Sequence, residues 1–197
     1  MSHLAYFIAP DAFRSPRLTL RAWAPGDGPR FQEAAQSSYA HLRTFMPWAK
    51  PSFTPEEAEA FARRSRGEYL LGTNFNIAIT DPDERLILGG CGFHLREGSL
   101  SLCQAEAGMW IRASHAGRGL GTHALAALLR WAFTAWPWQR VSWRCAAENI
   151  ASQQVAARAG LTLEGTLRSH RLNPDGSRGD TLCFAALRDA WRAPDPR

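Results

Sequence analysis

At 197 residues and 21.8 kDa, with 45% apolar, 21% charged and 11% aromatic residues, the chain has the size and composition of one globular domain that buries a core without staples. Disordered, collagenous and coiled-coil chains are excluded, and the longest uncharged apolar run, Leu86 to Leu95, is half of the roughly 20 residues a membrane-spanning helix needs. The net charge of +5 is uneven: residues 1–98 carry 11 Lys/Arg against 11 Asp/Glu, and residues 99–197 carry 12 against 7. Such an excess suits nucleic acid, an acidic protein or a phosphorylated ligand, and charge alone does not choose among them.

One domain is expected over residues 1–197, with a core from about 16 to 192. The N-terminus has no basic leader, and its apolar stretch is too short for a signal peptide, so the cytoplasm is the expected compartment. Cys91, Cys103, Cys145 and Cys183 form no C-x-x-C pair, which suggests neither a metal site nor a redox motif. They read as small core residues.

In chain order, Leu18 to Trp23 alternates as a first strand closed by Pro25-Gly26-Asp27, and Asp27 opens a helix to about Ser38. Thr54-Pro55-Glu56-Glu57 is a complete helix start, with a capping hydroxyl, a first-turn proline and a capping-box glutamate, and its helix should reach about Leu71. Phe75–Thr80 and Leu86–Leu95 read as a hairpin around Asp81-Pro-Asp-Glu. Gly98-Ser99 turns into a third strand over Ser101–Ile111. Thr122–Thr134 places Leu125, Leu128, Leu129, Ala132 and Phe133 at helical spacing, and Pro137 ends the run. A strand over Arg140–Cys145 and a helix from Asn149 to Ala159, stopped by Gly160, follow. Leu161–His170 and Thr181–Leu187 close the chain as a strand pair around Asn173-Pro-Asp-Gly. Trp131, Trp136, Trp138 and Trp143 read as packing rather than as a base-stacking platform.

The segment richest in chemistry is Trp110-Ile-Arg-Ala-Ser-His-Ala-Gly-Arg-Gly-Leu-Gly-Thr122, a strand, a glycine turn and a helix start. Gly117, Gly119 and Gly121 let the backbone turn tightly and gather free N–H groups, the helix adds about half a positive charge, and Arg118 adds a full one. A phosphate fits there. A loop that merely starts a helix is the other reading. Walker, Rossmann, nucleophile-elbow and zinc-protease signatures are absent.

Several motifs in the same order resemble the GNAT acyl-CoA N-acetyltransferases, in particular their RimJ/RimL-like branch. Ala116-Gly-Arg-Gly-Leu-Gly121 resembles the family's Gln/Arg-x-x-Gly-x-Gly/Ala loop, with Ala116 in place of the usual Gln or Arg. Ala105-Glu-Ala-Gly-Met-Trp110 is similar to the branch's Ala-Glu-Ile-Gly-Tyr-Trp strand. Asn149 to Leu161 resembles its Asn-x-x-Ser helix, followed by Glu164-Gly165; Phe45-Met-Pro-Trp48 with Thr54-Pro-Glu-Glu, and Gly176-Ser-Arg-Gly-Asp180, also fit. The resemblance implies one α+β domain, a mixed, mostly antiparallel sheet with helices on both faces and a splayed central strand pair. It implies acetyl-CoA as co-substrate without a metal, its pyrophosphate on the amides of Ala116, Gly117, Arg118, Gly119, Leu120, Gly121 and Thr122, with Asn149, Ser152 and Arg158 beside it. Acyl-CoA should enter between the third strand and Arg140–Cys145.

Direct acetyl transfer needs a neutral amine, a polarised thioester carbonyl and a proton for the leaving thiolate. An α-amine titrates near about 8, so a modest base suffices. Glu106, matched to the branch's strand acid, is the candidate base; a strand carboxylate paired with an arginine is the other reading, and His94 and His115 are rivals. Backbone N–H groups near Met109, Trp110 and Ile111 would meet the oxyanion. Many family members protonate the thiolate with a tyrosine where this chain has Ala156, and Ser152 takes that post. Ser152 has an alternative as a backbone cap, and Asn149 as either a pantetheine contact or the holder of the helix entry.

The expected partners are therefore acetyl-CoA and a primary amine, a protein N-terminal α-amine first and a small amine such as an antibiotic or amino acid second. No membrane is expected, and the scattered basic residues argue against nucleic acid. A non-catalytic acyl-CoA-sensing or nucleic-acid-binding module stays open, and exposed tryptophans would suit a homodimer. Phe45–Trp48 and the helix after Thr54 should wall the acceptor site, and the balanced charge of the first half hints at an acceptor without strong charge.

Overall fold

The computed structural model describes residues 7–96, 100–173 and 176–194. Its chain order is β1 (Ala12–Arg14), β2 (Thr19–Ala22), α1 (Gly28–Ser37), α2 (Tyr39–Leu42), α3 (Pro55–Leu71), β3 (Phe75–Thr80) and β4 (Ile87–His94). Then come β5 (Gln104–Ile111), α4 (Leu120–Ala135), β6 (Arg140–Ala146), α5 (Ile150–Arg158), β7 (Thr162–Leu172) and β8 (Arg178–Leu187). The strands form one sheet in the order β1-β2-β3-β4-β5-β6-β8-β7, antiparallel everywhere except β5 against β6. Among the described residues no helix is long and apolar enough to cross a membrane.

Local chemistry explains the elements that frame the site. Thr54 Oγ1 accepts from the Glu57 N–H at 3.2 Å, the Glu57 carboxylate accepts from the Thr54 N–H at 2.8 Å, and Gly72 stops α3 at φ 69°. That is the capping box expected from the sequence. Asp27, in contrast, makes no side-chain cap on α1. Its buried carboxylate accepts from the Ala24 N–H at 2.9 Å, from Arg21 at 2.7 and 2.9 Å, and from Arg30 at 2.5 Å, pinning the turn before α1 onto β2. Burial alone would push this carboxyl up, but the Arg21 guanidinium, the Ala24 amide and Arg30 hold it below its ordinary value.

Each sheet face has its own core. On one face α4 and α5 bury Leu125, Leu128, Trp131, Ala105, Ala107 and Trp143, with Met109 and Ile111 packed against them. On the other, α1 and α3 bury Trp23, Phe31 and Ala58, and Trp110 packs there. Period-two alternation along β5 therefore sends Ala105, Ala107, Met109 and Ile111 to one side and Glu106, Gly108 and Trp110 to the other.

Central strands β5 and β6 pair only from Gln104↔Arg140 to Ala107↔Trp143. Beyond that, β5 follows β4 to Ile111↔Gly89 and β6 follows β8 to Ala146↔Thr181, so the two diverge into a V.

Several expectations need adjusting. The third strand starts at Gln104 rather than Ser101, because Leu100–Leu102 is a 3-10 turn and Cys103 takes a φ of 51° that no strand accommodates. The elements β1 and α2 were not foreseen, since three or four residues are too few to display a period. The Gly98-Ser99 turn and the Pro174-Asp175 centre of the last hairpin lie outside the described residues. Trp131, Trp136, Trp138 and Trp143 are buried, as expected for packing, so they offer no dimer surface; Trp48 is 40% exposed.

Candidate active site

The glycine loop gathers unpaired backbone donors at the start of α4. Past β5 a 3-10 turn at Ala113–His115 leads through Ala116 to Gly117 and Gly119, whose φ of 73° and 74° would cost an L-residue about 1–2 kcal/mol. No side chain caps α4, so the leading N–H groups of Leu120, Gly121 and Thr122 have no intrahelical acceptor, whereas that of His123 returns to the Gly119 carbonyl at 3.1 Å. Arg118 is exposed at the tip. Gly121 serves another purpose: a Cβ there would stand 3.3 Å from Val155 Cγ2, so it lets α4 and α5 pack closely. Arg158 lies in the last turn of α5, one turn beyond Val155 and exposed. Amides, helix dipole and Arg118 together match the donor set that a diphosphate needs.

At the V, hydrogen-bond direction decides which amides are free. The Arg112 N–H donates to the Leu88 carbonyl at 2.8 Å, so alternation along the strand turns the Trp110 N–H toward β4 as well. The amides of Met109 and Ile111 then face the gap left by β6. Of the three amides expected to meet an oxyanion, Trp110's is thus withdrawn, because antiparallel pairing uses it; its indole instead lies across Gly90, where a Cβ would come within 2.6 Å of Nε1.

A cavity of about 1050 Å³ runs through the V. From the α5 side come Trp143, Cys145, Asn149 and Ser152. Asn149 caps α5, its Oδ1 accepting from the Ser152 N–H at 3.1 Å, which is the helix-entry role expected of it, and it also lines the cavity. The Ser152 hydroxyl is not a backbone cap. Its oxygen accepts from the Trp143 indole N–H at 3.0 Å, which fixes the oxygen and leaves the hydroxyl hydrogen to be donated, to Cys145 or to a ligand in the cavity. Cys145 is buried as expected, yet it lies on the cavity wall; burial pushes its thiol up, and a hydrogen bond with Ser152 partly opposes that.

From the α1/α3 side come Glu106, His94, Trp110 and an aromatic wall of Phe31, Trp48 and Phe61. Phe45 to Trp48 and the α3 residues Glu57, Ala60, Phe61 and Arg64 all line it, as the sequence led one to expect. Trp48 meets Trp110 edge to face with centroids 5.5 Å apart, and Phe31 stacks on Phe61 at 4.3 Å. Glu106 stands 3.4 Å from Arg144 Nε and 3.7 Å from Arg96 Nε, so the arginine-paired reading describes its contacts and the cavity wall describes its place. Directly across on β4, His94 bonds Asn74 Oδ1 through Nδ1 at 2.8 Å. Its Nε2 lies 3.0 Å from where a Gly108 Cβ would stand, so Gly108 makes room for the ring. Burial, with help from Arg96, pushes this imidazole down to about 4, which leaves it neutral near pH 7 with its Nε2 lone pair free. His115 is outside the cavity lining and bonds Ser114 instead.

Residues that sequence reading did not raise also line the cavity: Arg144, and from the last hairpin His170, Arg171 and Thr181. Nothing in their local spacing signals this. Only the register of β7 on β8 and β8 on β6 brings them there. Among the described residues there is no cluster of His, Cys, Asp or Glu fit to hold a metal.

Comparison with known proteins agrees with this geometry. The chain is similar to a ribosomal-protein-serine acetyltransferase of Escherichia coli (strain K12), 39% identical over 86 residues, a match that covers 44% of this chain and about half, 48%, of that relative. In structure it is similar to RimL, a ribosomal L7/L12 alpha-N-protein acetyltransferase solved with coenzyme A, at TM-score 0.81 and 23% identity over 92% of this chain and 100% of that one. It is similar also to the microcin C7 self-immunity acetyltransferase MccE, solved with acetyl-CoA and AMP, at TM-score 0.80 and 19% identity over 91% of this chain and 98% of that one. A third likeness is the ribosomal-protein-S5-alanine acetyltransferase of Vibrio fischeri, TM-score 0.79 and 19% identity over 93% and 100% of the two chains. The acetyltransferase (GNAT) domain model matches residues 17–162, most of the chain, and with the splayed strands and the glycine loop in place this protein belongs to the GNAT acetyltransferase family.

Proposed function

We propose that this chain transfers the acetyl group of acetyl-CoA directly to a primary amine, the α-amino group of a protein N-terminus such as that of a ribosomal protein. One observation carries the reading: the V between β5 and β6, with the Met109 and Ile111 amides turned into it, joins the α4/α5 side of the sheet to an aromatic cavity on the other. The amides of residues 116–122 and Arg118 hold the pyrophosphate, with Arg158 nearby, and Asn149 keeps α5 in place. The amine arrives from the α1/α3 side, and Glu106 accepts its proton, with neutral His94 opposite as a second acceptor. The amine lone pair then attacks the thioester carbonyl carbon, the oxyanion is met by the free strand amides, and the C–S bond breaks. Ser152 hands its hydrogen to the departing sulfur, which ends as the thiol, and takes in exchange, directly or through water, the second proton that the attacking nitrogen must lose, so that the amide is neutral and the hydroxyl is restored. Similarity to ribosomal-protein acetyltransferases supports the N-terminal α-amine.

A small amine is the second reading, favoured by the likeness to a self-immunity acetyltransferase and by the enclosed aromatic wall. Calorimetric titration with acetyl-CoA, followed by thiol release against N-terminal peptides and small amines, separates the readings. Release that is fastest with peptides supports the first, and release with small amines alone supports the second. Binding without release under any amine points to a sensing module, and salt-sensitive binding to duplex DNA points to a nucleic-acid module. A homodimer in the cytoplasm completes the proposal, supported by exposed Leu163, Leu167 and Leu172 on the edge strand β7 and checked by light scattering.

A further inference from the structure

We infer that the His94 imidazole holds, through Nε2, the hydrogen that the attacking amine keeps, and that Asn74 and Glu68 are positioning residues that fix this nitrogen as an acceptor. The inference deepens the acetyl-transfer reading and rests on it. A chain of two hydrogen bonds ends on the cavity wall. Asn74 Nδ2 donates to Glu68 Oε2 at 3.1 Å, and Asn74 Oδ1 stands 2.8 Å from His94 Nδ1. An ionised carboxylate only accepts, so Glu68 turns the NH2 end of the Asn74 amide toward itself and leaves the carbonyl oxygen for the imidazole. That oxygen also only accepts, so the proton of the neutral ring belongs on Nδ1. Nε2 therefore carries the lone pair, and it makes no hydrogen bond among the described residues.

A short stretch of sequence builds this chain. Gly72 ends α3 at φ 69°, and the Thr73 N–H and hydroxyl both donate to the Glu68 carbonyl, at 3.1 and 3.3 Å. That fold-back brings Asn74, the residue before β3, beside the Glu68 side chain. Phe75 pairs with Phe93 across β3 and β4, so one step outward on each strand Asn74 faces His94. A second, independent observation falls on the other end of the ring. Gly108 makes room for Nε2, which would lie 3.0 Å from a Cβ there. Pairing of β5 with β6 stops at Ala107↔Trp143, so Gly108 is the first residue of β5 inside the V, and the Met109 amide that faces the gap comes next. Nε2 thus stands at the mouth of the V, where an amine and a thioester would meet.

The ring and Glu106 then divide the work. Burial and Arg96, against a smaller opposing pull from Glu68, keep the imidazole down at about 4, so it accepts a hydrogen bond near pH 7 without removing the proton. Of the three hydrogens on an ammonium group, Glu106 takes one and Ser152 takes another, and the third remains in the amide. Nε2 holds that third hydrogen, directly or through one water, and so turns the nitrogen lone pair toward the thioester carbon. His94 leaves the reaction as it entered.

Nitrogen NMR of the imidazole in the whole protein reads the tautomer without any turnover, with His94→Gln identifying the signals. Above about pH 6, Nε2 should show the shift of an unprotonated ring nitrogen and Nδ1 that of a protonated one. Asn74→Leu keeps the shape of the side chain but accepts nothing. It should move both signals toward a mixture of tautomers and lower kcat for an accepted amine by about 10-fold, with KM for acetyl-CoA unchanged. Glu68→Gln, whose amide can face Asn74 either way round, should give smaller changes of the same kind. Combining Glu68→Gln with Asn74→Asp should restore the Nδ1–H form and most of kcat, because the new carboxylate accepts from both sides. In that double variant the ring should titrate above about 4, since a carboxylate faces Nδ1; the other charged groups around it are Arg96 after β4 and Glu106 on β5, beside Arg144 of β6. A wild-type His94 protonated on Nε2 overturns the inference while leaving acetyl transfer standing. So does full kcat in Asn74→Leu, or a loss that persists in the double variant although its tautomer is restored. If Asn74→Leu does not fold, the wild-type spectrum and the double variant decide. No thiol release from any amine removes the transfer reading, and this inference with it, whatever the tautomer.

Discussion

Ser152 illustrates how one contact changes the meaning of a residue. At the start of a helix a serine ordinarily caps backbone amides, but here Asn149 does that work and the Ser152 oxygen is engaged by the Trp143 indole. Ser152→Ala should lower kcat by about 10²-fold with acetyl-CoA affinity nearly unchanged, as measured by steady-state kinetics beside calorimetry. Trp143→Phe, which frees the hydroxyl to rotate, should give a smaller loss of the same kind. His94 supplies a different test. Its folded-state value of about 4 lies below the ordinary value of 6.5, so the unfolded chain takes up the proton first as pH falls. Stability should be unaffected by this group above about pH 6.5 and decline between there and about pH 4, by on the order of 1–3 kcal/mol. Chemical denaturation across that range should show a flatter profile for His94→Gln, with the positive charge of Arg96 and the carboxylates of Glu68 and Glu106 as the other groups in its surroundings.

Elements place these residues, and two connections bear most of that task. The turn before α1 is held by Asp27 against Arg21, Arg30 and the Ala24 amide, and α1 carries Phe31 into the acceptor wall. Removing a buried carboxylate that answers two arginines leaves their charge uncompensated, so Asp27→Ala should cost about 3–5 kcal/mol in urea denaturation. The turn into α4 depends on Gly119 at φ 74°, and Gly119→Ala should cost about 1–2 kcal/mol and weaken acetyl-CoA binding, because the shifted backbone misdirects the amides behind it. The sequence disclosed both helix starts differently. At α3 the capping box is a local code of four residues, readable as written. At α1, Asp27 has the residue type of a cap, yet besides Arg30 in the helix itself its partners lie on β2 and in the preceding turn, and the pairing with Arg21 is one that no local pattern reveals. The glycine loop was readable because a tight turn demands glycine by backbone sterics alone, although Gly121 proved to answer helix packing rather than the turn.

In the molecule as a whole, the site is a property of sheet topology. Two neighbouring strands diverge because each stays with its outer partner, and the opening lets a thioester from one face meet an amine from the other. Motif order made the family and the splay legible in the sequence, along with Glu106, Met109, Ile111 and Ser152 near the V. Trp110's amide was misjudged because strand spacing gives side-chain faces but not which neighbour an amide serves. Arg144 and Arg171 stayed invisible because their nearness depends on three registers across β6, β8 and β7. Direct transfer across the V is the central claim, and two-substrate initial-rate kinetics tests it most directly. Varying acetyl-CoA against an accepted amine should give intersecting double-reciprocal lines, with no acetyl group left on enzyme incubated with acetyl-CoA alone. Parallel lines, together with an acetylated side chain such as Cys145 detected by mass spectrometry, would contradict it.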